Sequence, residues 1–351
     1  MTTRITKIAI TLSLALVLLA AFTLLYGLSD SASAPFFSFS GTGLVDGRFS
    51  DQPAVPIAHD PQDGADPYDA DDLSEADDAG LEEDDSIRIK LGAPDIKRGS
   101  LVLINQDYGC EFPDERDLVE IAAYKTPSYR VSDDSLMLSG SIIEPLNAMM
   151  DAYYAETGQD TVAVISAFRD YNRQMEILNE YISLMGGNEA YKWVAVPGHS
   201  EHHSGLAVDF GVFSNGAFRT FLGTGDSSWF RQNCDKYGFI LRYQEDKTDI
   251  TNTENEPWHF RYVGAPHASF ISQMGLCFEE YIEFIAGFSR DEPFLGEMDG
   301  ESYEVYFTRD HEIVIPPGYY YDISGNNIDG FIVTVRPPGS VGLEREKIRG
   351  R

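Results

Sequence analysis

Two short stretches of the chain concentrate side chains that can bind a metal ion. The first reads Ser-Glu-His-His-Ser-Gly-Leu-Ala-Val-Asp over residues 200–209, and the second reads Glu-Pro-Trp-His over residues 256–259. Four of the seven histidines fall in or beside them, which argues against chance clustering. Imidazole and carboxylate ligands, an open position for water and a further carboxylate as general base are the components of a zinc hydrolase.

Small residues separate the candidate ligands of the first stretch. Gly205 and Ala207 lie between His202 and Asp209 and would let the backbone approach a ligand or a neighbouring strand closely. A turn at Gly205 into a strand could bring the imidazole and the carboxylate together, and His259 begins a candidate neighbouring strand. A polar loop with a structural aspartate is the alternative for the first stretch alone. The donor set best suits zinc, although other divalent ions also accept these ligands.

Glu256 is the candidate general base. It precedes His259 by three residues, and Pro257 disfavours an interior helical turn between them. We therefore expect Glu256 to project from a loop beside the metal. There it could take a proton from the attacking water and pass it to the leaving amine. An ordinary surface carboxylate is the alternative.

Three other polar side chains have open roles. His199 and His203 compete with His202 for the ligand position, but adjacent histidines point in different directions in extended chain, so only one of the pair 202–203 should ligate. Arg169 follows a predicted buried strand and could stabilise an oxyanion or bind a carboxylate. A structural salt bridge is an equally weighted alternative for Arg169.

The hydrophobic periodicity predicts the elements that would position these residues. Strands are predicted over residues 101–104, 162–165, 206–212, 239–243 and 258–263. Helices are predicted over residues 141–156, 171–185, about 227–237 and 266–285. Strands and helices do not alternate cleanly, so the pattern favours an α+β fold over a doubly wound sheet. Short β runs at 303–307, 312–315 and 330–335 indicate a small C-terminal β extension.

The N-terminal residues predict an exported and tethered protein. Arg4 and Lys7 precede an uncharged run over residues 8–28, and roughly 20 apolar residues can span a bilayer with the positive flank inside. Ala-Ser-Ala at 32–34 resembles a signal-peptide cleavage site, but a proline follows it, so an uncleaved transmembrane anchor is favoured over a cleaved signal. The expected location is single-pass in the cell membrane with the catalytic domain outside the cytoplasm, or secreted after cleavage.

Composition and charge set the domain boundaries and exclude some ligands. Residues 29–92 are predicted to be an acidic disordered linker, with a calcium-binding segment as the minor alternative. A catalytic domain over 93–286 and a β extension with a tail over 287–351 would follow. The net charge of −31 over 351 residues disfavours nucleic acid and anionic lipid as ligands. None of the three cysteines lies in a CxxC pattern, which argues against a thiolate zinc site. No protein partner can be inferred.

Three ordered motifs resemble the VanY-type zinc D-alanyl-D-alanine carboxypeptidases. They are Ser-Ala-Phe-Arg-Asp-Tyr at 166–171 with Gln174, Pro-Gly-His-Ser-Glu-His-His-Ser-Gly-Leu-Ala-Val-Asp at 197–209, and Glu-Pro-Trp-His-Phe-Arg-Tyr-Val-Gly at 256–264. The pattern SxHxxGxAxD is met without departure, whereas the usual Gly-Tyr-Arg-Ser of the first motif is Ala-Phe-Arg-Asp here. The resemblance covers residues 101–285, about half of the chain.

This resemblance implies a set of roles. His202, Asp209 and His259 would hold Zn²⁺, Glu256 would be the catalytic base, and Arg169 would polarise the scissile carbonyl and stabilise its oxyanion. Four side chains would contact the substrate peptide: Ser166, Tyr171, Gln174 and Ser200. The implied fold is an antiparallel sheet flanked by helices, of the Hedgehog/DD-peptidase type.

The expected activity is removal of the terminal D-alanine from peptidoglycan stem peptides. An L,D-carboxypeptidase acting on tetrapeptide stems shares these motifs, and an endopeptidase is a lesser alternative. A non-catalytic wall-binding module is the alternative outside enzymes. The intact set that includes Glu256 argues against a binding module, because a binder has no need for a general base.

Overall fold

The computed structural model describes residues 86–338. The predicted transmembrane anchor, residues 1–28, and most of the predicted acidic linker lie outside this range. Within the range, no helix combines the length and the apolar character needed to cross a membrane.

The described residues form a mixed α and β structure. The strands are β1 (Ile87–Lys90), β2 (Leu118–Glu120), β3 (Arg130–Val131), β4 (Met137–Ser139), β5 (Val162–Ser166), β6 (Ala207–Ser214), β7 (Ala217–Thr220), β8 (Phe239–Leu241), β9 (His259–Tyr262), β10 (Phe294–Met298), β11 (Glu301–Thr308), β12 (Glu312–Ile315), β13 (Tyr320–Gly325) and β14 (Phe331–Arg336). The α-helices are α1 (Ile121–Tyr124), α2 (Ile143–Thr157), α3 (Tyr171–Met185), α4 (Gly187–Ala190), α5 (Ser228–Asn233), α6 (Thr248–Thr251), α7 (Ala265–Met274) and α8 (Phe278–Ile285).

A six-stranded sheet carries two of the candidate ligands, Asp209 and His259. Its order is β3-β5-β6-β9-β8, with β7 also paired to β6. The β3–β5 pair is parallel and the other pairs are antiparallel, so the prediction of a largely antiparallel sheet with helices is confirmed. Strand β6 lies between β5 and β9, which places Asp209 in the middle of the sheet.

The core beneath this sheet explains why α2 forms where the periodicity predicts it. The buried side chains of α2 recur at helical spacing: Ile143, Leu146, Met149, Met150 and Tyr153. They pack with Phe210 of β6, whose ring centroid lies 5.2 Å from Phe230 and 5.0 Å from Phe260. Each such side chain contributes roughly 1.5–3 kcal/mol by burial, so the core holds the sheet rigidly beneath the site.

Four C-terminal strands form a second sheet that shares a buried core with the predicted catalytic domain. Its order is β10-β11-β14-β13, and all pairs are antiparallel. Val305 and Ile332 of this sheet pack in one buried cluster with Leu101, Ile240 and Phe278. Residues 86–338 accordingly belong to one compact unit, and the predicted boundary at 286–287 does not divide it.

Two predicted elements differ from the structure. Residues 101–104 are buried but are not a strand, because their backbone bonds elsewhere: Leu101 N–H donates to Ser324 Oγ at 2.8 Å and Leu103 N–H to the Asn326 carbonyl at 3.2 Å. The helix predicted over 266–285 is divided into α7 and α8. Gly275 takes the left-handed conformation (φ 65°), which ends α7.

Seven of the observed strands were not predicted: β1, β2, β3, β4, β7, β10 and β13. Strand β1 lies in the last residues of the predicted linker and pairs with β12, so the folded unit begins before residue 93. Strands β10 and β13 contain exposed and polar residues, and their sequences lack the clean apolar alternation of a half-buried strand.

Candidate active site

Strand register brings the acidic ligand candidate beside one of the histidines. Asp209 on β6 is the direct partner of His259 at the start of β9 and of Ser166 at the end of β5. Side chains of facing residues lie on the same side of a sheet. The Oδ1 atom of Asp209 is 3.1 Å from Nδ1 of His259.

A tight turn places the His202 side chain beside Asp209. His202 lies in a 3₁₀ turn, Glu201–Ser204, and Gly205 (φ 71°) directs the chain into β6. A Cβ atom at residue 205 would lie 2.9 Å from the backbone nitrogen of Ser139, so glycine is required there. Nδ1–H of His202 donates to the Ala167 carbonyl at 2.6 Å, which turns Nε2 toward Oδ2 of Asp209 at 3.2 Å.

The three side chains form a metal-binding geometry. Ligand atoms of His202, Asp209 and His259 all lie within 4.8 Å of one another. Tetrahedral zinc with bonds of about 2.0–2.2 Å places its donor atoms roughly 3.3 Å apart, close to the observed contacts. Two histidines and a carboxylate with room for a fourth ligand are a donor set that zinc accepts. The residues therefore fit zinc.

Two buried polar atoms in this cluster are not satisfied by hydrogen bonds within the described part of the chain. Nε2 of His202 and Oδ1 of Asp209 are buried and make no well-aligned hydrogen bond to any described residue. Such atoms are rare in folded proteins, and a bound metal ion would satisfy them. Burial, with Arg169 adding, lowers the pKa of His202 to about 4, so this imidazole is neutral and can donate its lone pair.

Glu256 lies where the loop prediction placed it. It belongs to an irregular segment that ends at β9, and its Oε2 is 3.6 Å from Nδ1 of His259. Burial raises the pKa of Glu256 to about 8; the Asp209 charge adds to this, and His259 and Arg169 oppose it. A carboxyl group whose pKa lies near neutrality is suited to accept and return a proton.

Arg169 is also directed to this cluster. It follows β5, and its backbone N–H donates to the His202 carbonyl at 3.1 Å. Its Nε is buried without a hydrogen-bond partner among the described residues, which favours a role toward a ligand over a structural ion pair. Burial lowers the pKa of Arg169, and the charges of Asp209 and Glu256 oppose that shift, so the guanidinium stays charged.

The two competing histidines lie outside the metal cluster. Nδ1 of His199 is 2.8 Å from the Asn105 carbonyl. Nε2 of His203 accepts from Gly198 N–H at 3.0 Å, and its Nδ1 is 2.6 Å from the Arg169 carbonyl. Both histidines therefore connect loops around the site.

The predicted substrate contacts occupy different environments. Ser166 is the strand neighbour of Asp209, and Ser200 is buried at the start of the 3₁₀ turn. Tyr171 is 49% exposed at the start of α3. Gln174 is buried and donates to the Ala195 carbonyl at 2.8 Å, while its Oε1 has no partner among the described residues. Their contact with a substrate stays a prediction.

Three residues near the site were missed. Glu201 is buried beneath His259, although it stands beside a ligand in the second motif. The Tyr243 ring lies 5.0 Å from that of His259, and no sequence signal marks it. Tyr181 lies on α3 about two helical turns beyond Gln174. Burial, with the charges of Glu256 and Asp209 adding, raises the pKa of Tyr181 to about 12. The period of α3 could have identified Tyr181.

A comparison with solved structures finds the same fold in an enzyme. The crystal structure of the vancomycin-resistance D,D-dipeptidase VanXYg with a D-Ala-D-Ala phosphinate analogue is 31% identical, with a TM-score of 0.65. The structural alignment covers 72% of this chain and 99% of the VanXYg chain. This coverage exceeds the predicted catalytic domain, so the likeness extends beyond residues 93–286.

Sequence comparisons agree. The VanY profile, described as D-alanyl-D-alanine carboxypeptidase, matches residues 135–265. The bifunctional D-Ala-D-Ala dipeptidase and D-Ala-D-Ala carboxypeptidase VanXYC of Enterococcus gallinarum is 36% identical over 36% of this chain and 68% of that protein. A D-alanyl-D-alanine carboxypeptidase of Enterococcus faecium is 33% identical over 248 residues, 69% of this chain and 77% of the relative. With that identity over 77% of the relative, the chain belongs to the VanY family of D-alanyl-D-alanine carboxypeptidases.

Proposed function

We propose that this protein is a zinc-dependent D-alanyl-D-alanine carboxypeptidase that removes the terminal D-alanine from peptidoglycan stem peptides. The observation that carries the proposal is the cluster of His202, Asp209 and His259 with Glu256 3.6 Å from His259. A binding module would need neither the unpartnered ligand atoms nor a second carboxylate with a raised pKa.

The side chains divide the reaction between them. A zinc ion held by the three ligands supplies Lewis acidity to the attacking water and to the scissile carbonyl. Glu256 accepts the proton of that water and returns it to the amine of the leaving D-alanine. Arg169 stabilises the negative charge that develops on the carbonyl oxygen, because its guanidinium is charged and its buried Nε has no hydrogen-bond partner among the described residues.

A second candidate activity is hydrolysis of the free dipeptide D-Ala-D-Ala. The observation that favours it is the 99% coverage of a D,D-dipeptidase structure by this fold. An L,D-carboxypeptidase would use the same catalytic side chains, so only the shape of the substrate pocket would distinguish it.

The proposed location follows from the N-terminal sequence. An uncharged run at residues 8–28 behind Arg4 and Lys7 supports a single-pass membrane anchor with the catalytic unit outside the cytoplasm. Peptidoglycan is accessible from that side. A fusion of a reporter enzyme to the C-terminus, active only in the cytoplasm or only outside it, tests this orientation.

Mass spectrometry of defined peptides tests the activity. The full chain, loaded with zinc or treated with a chelator, would be incubated with a stem pentapeptide ending in D-Ala-D-Ala, a stem tetrapeptide and free D-Ala-D-Ala. Chelator-sensitive loss of one alanine from the pentapeptide is the expected result. Cleavage of the tetrapeptide alone would replace the proposal with an L,D-carboxypeptidase, and no cleavage by zinc-loaded protein would contradict it.

A further inference from the structure

The carboxylate of Glu201 is buried directly behind one of the metal ligands. Its side chain is 0% exposed, and its Oε2 lies 3.3 Å from Nε2 of His259. This nitrogen is on the opposite side of the imidazole from Nδ1, which lies 3.1 Å from Asp209. Glu201 therefore contacts the ring atom of His259 that does not face the metal position.

Two buried arginines keep Glu201 in place. Its Oε1 accepts from Nε of Arg242 at 2.8 Å and from Nη1 of Arg261 at 3.0 Å. Arg242 also makes a two-point contact with Glu279, at 2.8 Å and 2.6 Å. The second amino group of Arg261 donates to the carbonyls of Ser100 and Val102, both at 3.0 Å. The two positive charges of Arg242 and Arg261 balance the two negative charges of Glu201 and Glu279.

This arrangement determines which nitrogen of His259 carries a proton. Arginine is always charged, so Glu201 between two guanidinium groups is held as a carboxylate and can only accept hydrogen bonds. Nε2 of His259 must then be the N–H donor. In the neutral imidazole this leaves the lone pair on Nδ1, the atom that faces Asp209.

We infer that Glu201 is a positioning residue for the metal: its carboxylate fixes the ring and tautomer of His259 so that Nδ1 is the ligand atom. The inference rests on the metal site of the proposed function. Carboxylates that bind the far nitrogen of a ligand histidine also increase the basicity of the near one. The ring nitrogen of His202 that faces away from the metal position contacts only the neutral carbonyl of Ala167. Glu201 therefore makes His259 the stronger of the two imidazole ligands to the metal.

The test compares Glu201→Gln with Glu279→Gln in the full chain. Both substitutions remove one negative charge from the same arginine cluster, but only Glu201 contacts His259. Zinc affinity would be measured by equilibrium competition with a chromophoric chelator. Glu201→Gln should weaken zinc binding by about 10–100-fold, the usual cost of losing such a partner, whereas Glu279→Gln should stay close to wild type. Equal affinity in the two variants would overturn the inference.

A second measurement reports the contact itself. In zinc-loaded protein with ¹⁵N-labelled histidine, NMR should show a protected, downfield Nε2–H signal from His259 in the wild type and in Glu279→Gln. That signal should move upfield or vanish in Glu201→Gln, and an unchanged signal would contradict the role of Glu201. If wild-type protein binds no zinc, the proposed function fails first and this inference falls with it. If the wild type binds zinc normally and the two variants bind zinc with equal affinity, only the inferred role of Glu201 is excluded.

Discussion

Asp209 and His259 face each other across the β6–β9 strand pair, with Oδ1 of the aspartate 3.1 Å from Nδ1 of the histidine. Backbone hydrogen bonds set this register, and the aromatic core beneath β6 holds it. A ligand pair on two strands is positioned more accurately than one on loops. Only His202 depends on a turn, and the Ala167 carbonyl fixes its ring.

Substitution of Asp209 by alanine should remove metal binding. One of three protein ligands is lost, so zinc affinity should fall by more than about 100-fold, beyond the usual effect of an outer-shell partner. Zinc content after dialysis against a weak chelator measures this. His199→Ala is the control, because His199 bonds to the Asn105 carbonyl outside the cluster. Full zinc occupancy in Asp209→Ala would contradict the ligand set.

Substitution of Glu256 by glutamine should separate binding from turnover. The amide cannot accept a proton, and general bases contribute about 10²–10⁴-fold, so kcat should fall by that order while zinc is retained. Peptide cleavage and zinc content would be measured on the same samples. Glu254→Gln, two residues earlier in the same segment, should keep both. Wild-type turnover in Glu256→Gln would exclude it as the base.

Substitution of Arg169 by lysine should lower catalysis without loss of metal. A lysine keeps the charge but lacks the planar fork that reaches the oxyanion. Removal of one oxyanion donor costs about 10²–10³-fold in kcat, and we expect a loss in this range. Arg173→Lys is the matched control, since Arg173 pairs with Glu176 at 3.0 Å on the surface of α3. Equal rates for the two variants would point to a structural role for Arg169.

Substitution of His267 by glutamine should reduce the acid sensitivity of the fold. His267 is 2% exposed, with Nδ1 2.7 Å from the Tyr281 hydroxyl and Nε2 2.9 Å from Oγ1 of Thr334. Burial lowers its pKa to about 3, whereas an unfolded histidine has a pKa of about 6.5. Between these values the unfolded state binds the extra proton, so stability is lost as the pH falls below about 6.5.

Denaturant unfolding at pH 7.5 and pH 5, with chelator present, measures this effect. The wild type should lose about 2 kcal/mol more than His267→Gln between the two pH values, because that proton binds only after unfolding. The comparison concerns the change with pH, so a lower stability of the variant at pH 7.5 does not affect it. Identical pH dependence of the two proteins would show that His267 is not the sensitive group.

The local elements of the site could be predicted because their signals are local. The buried stripe of α2 and the glycine after α3 specify those helices, and the HxxxxxxD spacing matches a turn followed by a strand. The helix over 266–285 was mispredicted because its apolar spacing continues through Gly275, where the left-handed backbone ends α7. Residues 101–104 are apolar enough for a strand, but their partners are a serine and an asparagine more than 200 positions later.

Contacts between residues distant in sequence, 41 and 60 positions apart, also hid the role of Glu201. The residues that explain its charge, Arg242 and Arg261, lie far along the chain, and nothing in the second motif indicates them. In the sequence alone, a carboxylate next to two histidines is as compatible with a solvent-exposed position as with a buried one. Only the folded structure shows that the Glu201 carboxylate is buried, and its role could therefore not be predicted from the sequence.

The core shared by the two sheets has a consequence for the order of synthesis. Every predicted ligand has been translated by residue 259, yet Leu101 packs in a cluster with Ile332 and bonds to Ser324, 223 residues away. Contacts of such long sequence separation form late and slowly. The nascent chain thus carries all three predicted ligands well before the core that supports them can form. Strand β14 is among the last segments to be synthesised, and its addition completes that core.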